Sequence, residues 1–207
     1  TLALPNQLFS HNMSEGFPLL TTKKMPLRTI LVELEGFIKG ITDKQWFKQR
    51  GCNIWNEWCN PVKAKEFYDE NYMKPYLEEV EYNRKNNIMA FAGENKPSSY
   101  EYARPHIQKS IDDLGPIYGY QWRHFNGDPI YGPEGADQLK NIVDTLHKNP
   151  YDRRMVCSAW NPNQIDQMAL PPCHYAWNVT VIDDEIHLFW AQRSCDLMLG
   201  VPFNIAS

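Results

Sequence analysis

Basic residues are in deficit along this 207-residue chain. Lysines and arginines number 21 against 25 aspartates and glutamates, a net charge of −4. That balance argues against nucleic acid as the main partner and makes any anion site local. C-x-x-C is missing. The five cysteines, at 52, 59, 157, 173 and 195, are odd in number, and the close pair Cys52 and Cys59 lacks the second pair that would finish a zinc site. A reducing cytosol and no metal are expected. There is no G-x-G-x-x-G, no P-loop and no internal repeat, which removes the common dinucleotide and NTP signatures. No apolar run approaches the ~18 residues of a membrane span, and "TLALPNQLF" lacks the basic flank of a signal peptide. A soluble, cytoplasmic protein without a membrane partner is expected. The chain starts at Thr1 without methionine and stops just after "GVPFNIA", from which a fragment is expected.

With 43% apolar and 22% charged residues, the length suits one domain with a real core. "PLRTILVELEGFIKG" (26–40) carries apolar residues at 27, 30, 31, 34, 37 and 38, the period of an amphipathic helix closed by Gly40. Glu33 and Glu35 fall on opposite flanks of that stripe, and the spacing does not choose between them. Residues 61–112 are dense in Lys, Glu, Tyr and Asn, Pro75 interrupts a helical stretch, and "AGENKPSSYEYARP" is loop-like; they read as a lid-like insertion in a single domain. A helix is expected over 133–150. "RMVCSAW" (154–160), "CHYAWNVTVI" (173–182) and "EIHLFWAQRS" (185–194) have strand composition, the last two joined by the acidic turn "DD". Helices followed by consecutive strands make an α+β protein with a largely antiparallel or mixed sheet.

Cys173, in "ALPPCHYAWNV", follows two prolines that stiffen its approach and remove backbone donors. It is either a small buried hydrophobe or a nucleophile. A pair with His174 fails on geometry, because neighbouring strand residues point to opposite faces. A reactive Cys173 would need arginines nearby, and "DRR" (152–154) and "AQRSCD" (191–196) offer them. Arg153 and Arg154 read equally as solvated charges. Arg193 and Ser194 join a guanidinium to a hydroxyl and backbone N–H groups, the mixture a phosphate monoester needs. Asn204 is a helix cap for Ile205 onward or a reader of a heterocycle's edge. The aromatics of "NIWNEW" and "LGPIYGYQWRHF" are core or pocket, with Tyr118 placed between turns.

In order along the chain, "EGFPLLTTKK", "IWNEW", "LGPIYGYQWR", "RRMVCSAWNP", "MALPPCH" and "QRSCDLMLGVPFNIAS" resemble the thymidylate synthase family. The resemblance implies a homodimeric α+β fold whose sheet forms the interface, and reductive methylation of deoxyuridylate by methylenetetrahydrofolate. It assigns Cys173 as the nucleophile on carbon 6 of the pyrimidine, Glu33 to proton and water transfers, and Tyr118 and His174 to the same network. Arg193, Ser194, Cys195 and Asp196 would meet the nucleotide, with Arg153 and Arg154 reaching its phosphate from the other subunit and Asn204 reading uracil. Lys23, Trp55, Leu170 and Asp196 would border the folate. It also implies further chain before Thr1 and after Ser207.

Six positions depart from the family pattern: Pro26 in place of a histidine, Glu35-Gly36 in place of an apolar residue and tryptophan, Asn56 in place of aspartate, and Asn178 and Val179 after the cysteine. They keep open a deoxyuridylate hydroxymethylase, in which water replaces hydride. A nucleotide- or RNA-binding remnant is the non-enzyme alternative.

Overall fold

The helix expected from the 26–40 periodicity runs from Leu27 to Lys39 (α1) and stops at Gly40, whose φ of 70° lets its N–H return to the carbonyls of Gly36 and Phe37. The structure, a computed structural model, describes residues 3–5, 7–88, 103–104, 107–108, 110–127, 135–196, 198 and 200–201. Gly36 has a packing reason for its place: a Cβ there would stand 2.2 Å from a ring carbon of Phe47. Its absence lets α2 (Lys44–Gln49), capped by the Asp43 side chain on the N–H of Gln45, lie against α1.

Asn60 opens the 61–112 stretch by accepting the N–H groups of Val62 and Lys63, the cap of α3 (Pro61–Tyr68). Pro75 does not interrupt the helical path. The chain widens into a π-helical segment, Asp69–Met73, and continues as α4 (Lys74–Lys85) with Pro75 in its first turn. The wider turn takes up the clash and the lost donor that a proline brings to a regular helix. Cys59, Ala64, Tyr68, Ala103 and Ile107 form a cluster apart from the main core. Departure and return share one knot. The N–H of Asn60 donates to the carbonyl of Asp113 at 2.6 Å, that of Lys44 to Asp112 at 2.8 Å and that of Leu114 to Thr42 at 2.8 Å.

Tyr118, expected between turns, is instead the first residue of α5 (Tyr118–His124). Gly119 permits this, since a Cβ there would stand 2.4 Å from the Phe37 backbone, and α5 therefore rests directly on α1. The helix expected over 133–150 is shorter, Gln138–Lys148 (α6). Asp137 caps it on the N–H of Lys140, and His147 and Lys148 occupy its last turn.

The described strands, β1 (Val156–Ser158), β2 (His174–Ile182) and β3 (Glu185–Gln192), form an antiparallel sheet in that order. Asp183 and Asp184 both take positive φ, 51° and 63°, as a two-residue hairpin turn with right-handed twist requires. The 154–160 strand shrinks to three residues. On one face Val179 is buried in the main core with Phe37, Trp55, Leu114, Ile117 and Trp122. The other face carries Val156, Ile182 and Phe189, each more than half exposed. Helices on a three-stranded antiparallel sheet make the described chain α+β. Among the described residues no helix is long and apolar enough to cross a membrane.

Candidate active site

Cys173 stands one residue before β2, at the end of the stiff Pro171–Pro172 approach. It is half-buried, unlike Cys52, Cys59 and Cys157, each at most 1% exposed. Burial pushes the thiol of Cys52 up to about 11 and that of Cys157 up to about 12, and raises that of Cys59. Those three are core thiols. Cys173 is not one of them.

The backbone around Cys173 is tied on both sides. Its N–H donates to the hydroxyl of Tyr118 at 3.0 Å, and its carbonyl accepts the N–H of Arg193 at 2.9 Å. The guanidinium of Arg193 turns back as well, Nε to the carbonyl of Pro172 at 2.9 Å and Nη2 to that of Pro171 at 3.0 Å, over the ring of Trp160 at 5.5 Å. Beyond β3, Arg193 therefore braces the loop that presents the thiol and leaves part of its exposed fork outward.

His174 is layered between Tyr118, ring centroids 4.1 Å apart, and Trp190 at 4.8 Å, both at 18°. Phe37 packs beside this pair, its ring centroid 5.0 Å from that of Tyr118 and 6.1 Å from that of His174. Burial holds the imidazole down to about 4, so it is neutral near pH 7, and its Nδ1 is buried without a hydrogen-bond partner. Burial also raises the Tyr118 phenol, with Cys173 and Glu33 among the groups it feels. Sequence reasoning does not single out Trp190. Counting back from the two-residue turn finds it, because that turn puts Trp190 opposite Trp177, on the face that meets the core.

The tie between Glu33 and Glu35 is broken by the fold. Glu35 is exposed and paired with Lys39 one turn on, whereas Glu33 is 7% exposed and accepts the indole N–H of Trp55 at 2.9 Å. Burial pushes the Glu33 carboxyl up to about 7, and the Trp55 bond pulls partly against it. A carboxyl poised near neutrality can give or take a proton at little cost. Trp55 is itself 4% exposed and meets the ring of Tyr118 edge-on at 6.2 Å. Glu33, Trp55, Tyr118, His174 and Cys173 thus form one connected group.

Most of the other expected site residues are exposed. Arg153 and Arg154 are exposed in the turn ahead of β1, and Asp152 grips Arg154 through both carboxylate oxygens at 3.0 Å. Ser194, Cys195 and Asp196 are exposed beyond Arg193. The side chain of Asp196 accepts the N–H of Met198, and its carbonyl accepts those of Gly200 and Val201, so a helical turn has begun before Ile205. Asn204 lies outside the described residues. Lys23 is exposed, and Leu170 packs half-buried against the core. Asn56, one of the departures, keeps a buried Oδ1 without a hydrogen-bond partner. A cleft of about 390 Å³ between α6 and the hairpin is lined by Val143, Leu146, Pro150 and Ile186, among others, and not by the Cys173 group. Among the described residues, no cluster of His, Cys, Asp and Glu is arranged to hold a metal.

A family model described as thymidylate synthase matches residues 1–207. Curated relatives named thymidylate synthase include that of Aster yellows witches'-broom phytoplasma, 39% identical over 197 residues, which are 95% of this chain and 58% of the relative. The Mycoplasma genitalium protein is 39% identical over 209 residues, 100% of this chain and 62% of the relative. That of Mycoplasma mobile is 41% identical over 199 residues, 95% of this chain and 59% of the relative. The chain thus spans between 58% and 62% of the length of these relatives.

Proposed function

This chain belongs to the thymidylate synthase family, and from that premise we propose that it serves as a methyltransferase, converting deoxyuridylate to thymidylate with methylenetetrahydrofolate as donor of both carbon and hydride. The observation that carries the reading is the setting of Cys173: a half-buried thiol at a strand entrance, its N–H on the Tyr118 hydroxyl, in one group with a buried carboxyl near neutrality.

In this reading the Cys173 sulfur adds to carbon 6 of the uracil, and carbon 5 becomes electron-rich enough to take the folate methylene. Glu33 moves protons at the base, and Tyr118 fixes the backbone that aims the thiol. His174, neutral and stacked, serves the water network rather than acting as a cation. Arg193 and Ser194, with Cys195 and Asp196 beside them, receive the nucleotide, and Asn204 reads the base. Lys23, Trp55, Leu170 and Asp196 border the folate. Trp55 does so indirectly, through its hold on Glu33, since its ring is buried. The Gly36 departure leaves this scheme intact, because it serves the contact of α1 with Phe47.

The protein works as a homodimer through the outer sheet face, where Val156, Ile182 and Phe189 are exposed, and each subunit lends Arg153 and Arg154 to its partner's phosphate. Their exposure in the turn ahead of β1 fits that arrangement. Residues 61–112 form an insertion with its own small core, and the knot at Asn60 and Asp113 supports that boundary. Five free cysteines suit a reducing, cytoplasmic setting.

The test is a product assay with deoxyuridylate and methylenetetrahydrofolate. Formation of thymidylate with equimolar dihydrofolate supports the reading. Hydroxymethyl-deoxyuridylate would replace hydride by water as the quencher, and binding without any product would reduce the chain to a nucleotide-binding remnant.

A further inference from the structure

Lys44 is 2% exposed, a rare place for an ammonium group. Its Nζ donates to three backbone carbonyls: Asn56 at 3.3 Å, Trp58 at 3.1 Å and Gln108 at 2.5 Å. An ammonium has three N–H bonds, and three carbonyls match them one for one. The first two of these carbonyls sit on the turn that carries Trp55. That turn makes two short-range bonds of its own, Asn56 N–H to Asn53 and Trp58 N–H to Trp55. The third carbonyl belongs to the 61–112 insertion. Lys44 therefore gathers the Trp55 turn and the returning limb of the insertion onto the start of α2.

We propose that Lys44 is a positioning residue, which holds the Trp55 indole on the Glu33 carboxylate and through the Gln108 carbonyl couples the insertion to that carboxylate. It touches no substrate and acts through Trp55. The indole N–H reaches Glu33 at 2.9 Å across 22 residues of sequence, and the turn carrying it is clasped by one cation whose other bond leads into the insertion. Removing three charge-assisted donors leaves three inward carbonyls to find new partners, and a shift of the turn that carries two of them is one way to do so. A shift of that kind at a proton-transfer group lowers turnover without touching the nucleotide's own contacts. The groups facing Glu33 are Trp55 from the turn, Cys52 ahead of it and Tyr118 from α5. Those facing Lys44 are Cys59, Asp112, Glu57 and Lys48.

The proposal rests on the thymidylate synthase reading for its kinetic arm, whereas its spectroscopic arm does not. Lys44→Met keeps the length and apolar stem of the side chain and deletes the donors. In the wild-type protein the Trp55 indole N–H resonance should titrate with Glu33 near neutral pH. In Lys44→Met it should move to the position of an unbonded indole and lose most of that titration. Thymidylate formation should fall about tenfold in kcat with KM for deoxyuridylate within about twofold. In a Trp55→Phe background the same substitution should cost less than about twofold, because the bond it acts through is already gone. An unmoved indole resonance, or equal losses in both backgrounds, would overturn the proposal and leave Lys44 a general staple. Should Lys44→Met not fold, Lys44→Leu, which likewise deletes all three donors, is read in the same way. A wild-type protein that forms no thymidylate would remove the enzymatic reading alone, since the indole titration still decides whether Lys44 sets Trp55 on Glu33.

Discussion

The hydroxyl of Tyr118, on the first residue of α5, accepts the backbone N–H of Cys173 from 55 residues further along the chain, at 3.0 Å. This bond stands in for a strand partner. Cys173 sits just ahead of β2, where the ladder has not begun and two prolines supply no donors of their own. Its N–H would be stranded without the phenol.

Tyr118→Phe should accordingly leave that N–H unsatisfied in a half-buried site and cost about 1–3 kcal/mol of stability. Denaturant unfolding reads the loss directly. Because the thiol's backbone loses its brace, kcat should fall by more than nucleotide affinity, measured by calorimetry. Equal stability of variant and wild type would mean that water replaces the phenol at no cost.

Glu33 makes stability depend on pH in a defined direction. Its carboxyl titrates at about 7 when folded and near its ordinary value of 4.5 when unfolded, so between those values the folded state holds the extra proton. The Glu33 contribution then falls as pH rises from about 4.5 to about 7, by on the order of 3 kcal/mol, while His174, held down to about 4 when folded, contributes stability that rises between about 4 and 6.5 and opposes it. Glu33→Gln stays neutral throughout, so its stability relative to the wild-type protein should rise with pH across that window. Melting curves across pH 4 to 8 compare the two. A difference between the two proteins that stays constant with pH would place the titration elsewhere.

Physics decides how far these groups are legible in the sequence. The amphipathic period of 26–40 locates α1 and narrows its carboxylates to Glu33 and Glu35. It does not choose between them, because burial of one flank depends on where α2 and the Trp55 turn pack. The "DD" turn locates the hairpin and, with it, which residues oppose one another. Tyr118 reads as a loop residue because Gly115, Pro116 and Gly119 look like turn residues. In the structure Gly115 takes a φ of 74°, while Gly119 is needed for close approach to Phe37. Pro75 misleads for a similar reason, since sequence pattern does not foresee a π segment. Lys44 gives no signal at all. A lysine in "TDKQWF" has the look of a solvated helix start, and only tertiary contact from the Trp55 turn and the insertion buries it.

Cys173→Ser should abolish turnover and keep nucleotide binding, because serine preserves the shape and lacks an accessible anion near pH 7. A radiolabelled 5-fluorodeoxyuridylate should attach covalently to the wild-type protein in the presence of methylenetetrahydrofolate and not to the variant. Peptide mapping would place the label on Cys173. Undiminished labelling of the variant would move the nucleophile to another residue.

The outer face of the sheet bears on whether one chain can complete its own site. Val156, Ile182 and Phe189 expose apolar surface on that face, and Phe189 pairs across the ladder with the polar Asn178. Covering such a face with a second copy buries it, and a two-fold operator then brings the same surface from each side. Phe189→Glu places a charge at that face and should yield monomers by sedimentation. If Arg153 and Arg154 serve the neighbour's phosphate, those monomers should also lose activity, although Cys173 and Glu33 stay in place. Mixing then separates a shared site from a structural effect. A Cys173→Ser protein and an Arg153→Ala/Arg154→Ala protein are each expected to be inactive. In a heterodimer one site carries both defects and the other none. Random exchange makes about half of the dimers mixed, each with one intact site, so about a quarter of wild-type activity should return. Recovery of none in heterodimers confirmed by mass would mean that the arginines act within their own chain or only at its surface.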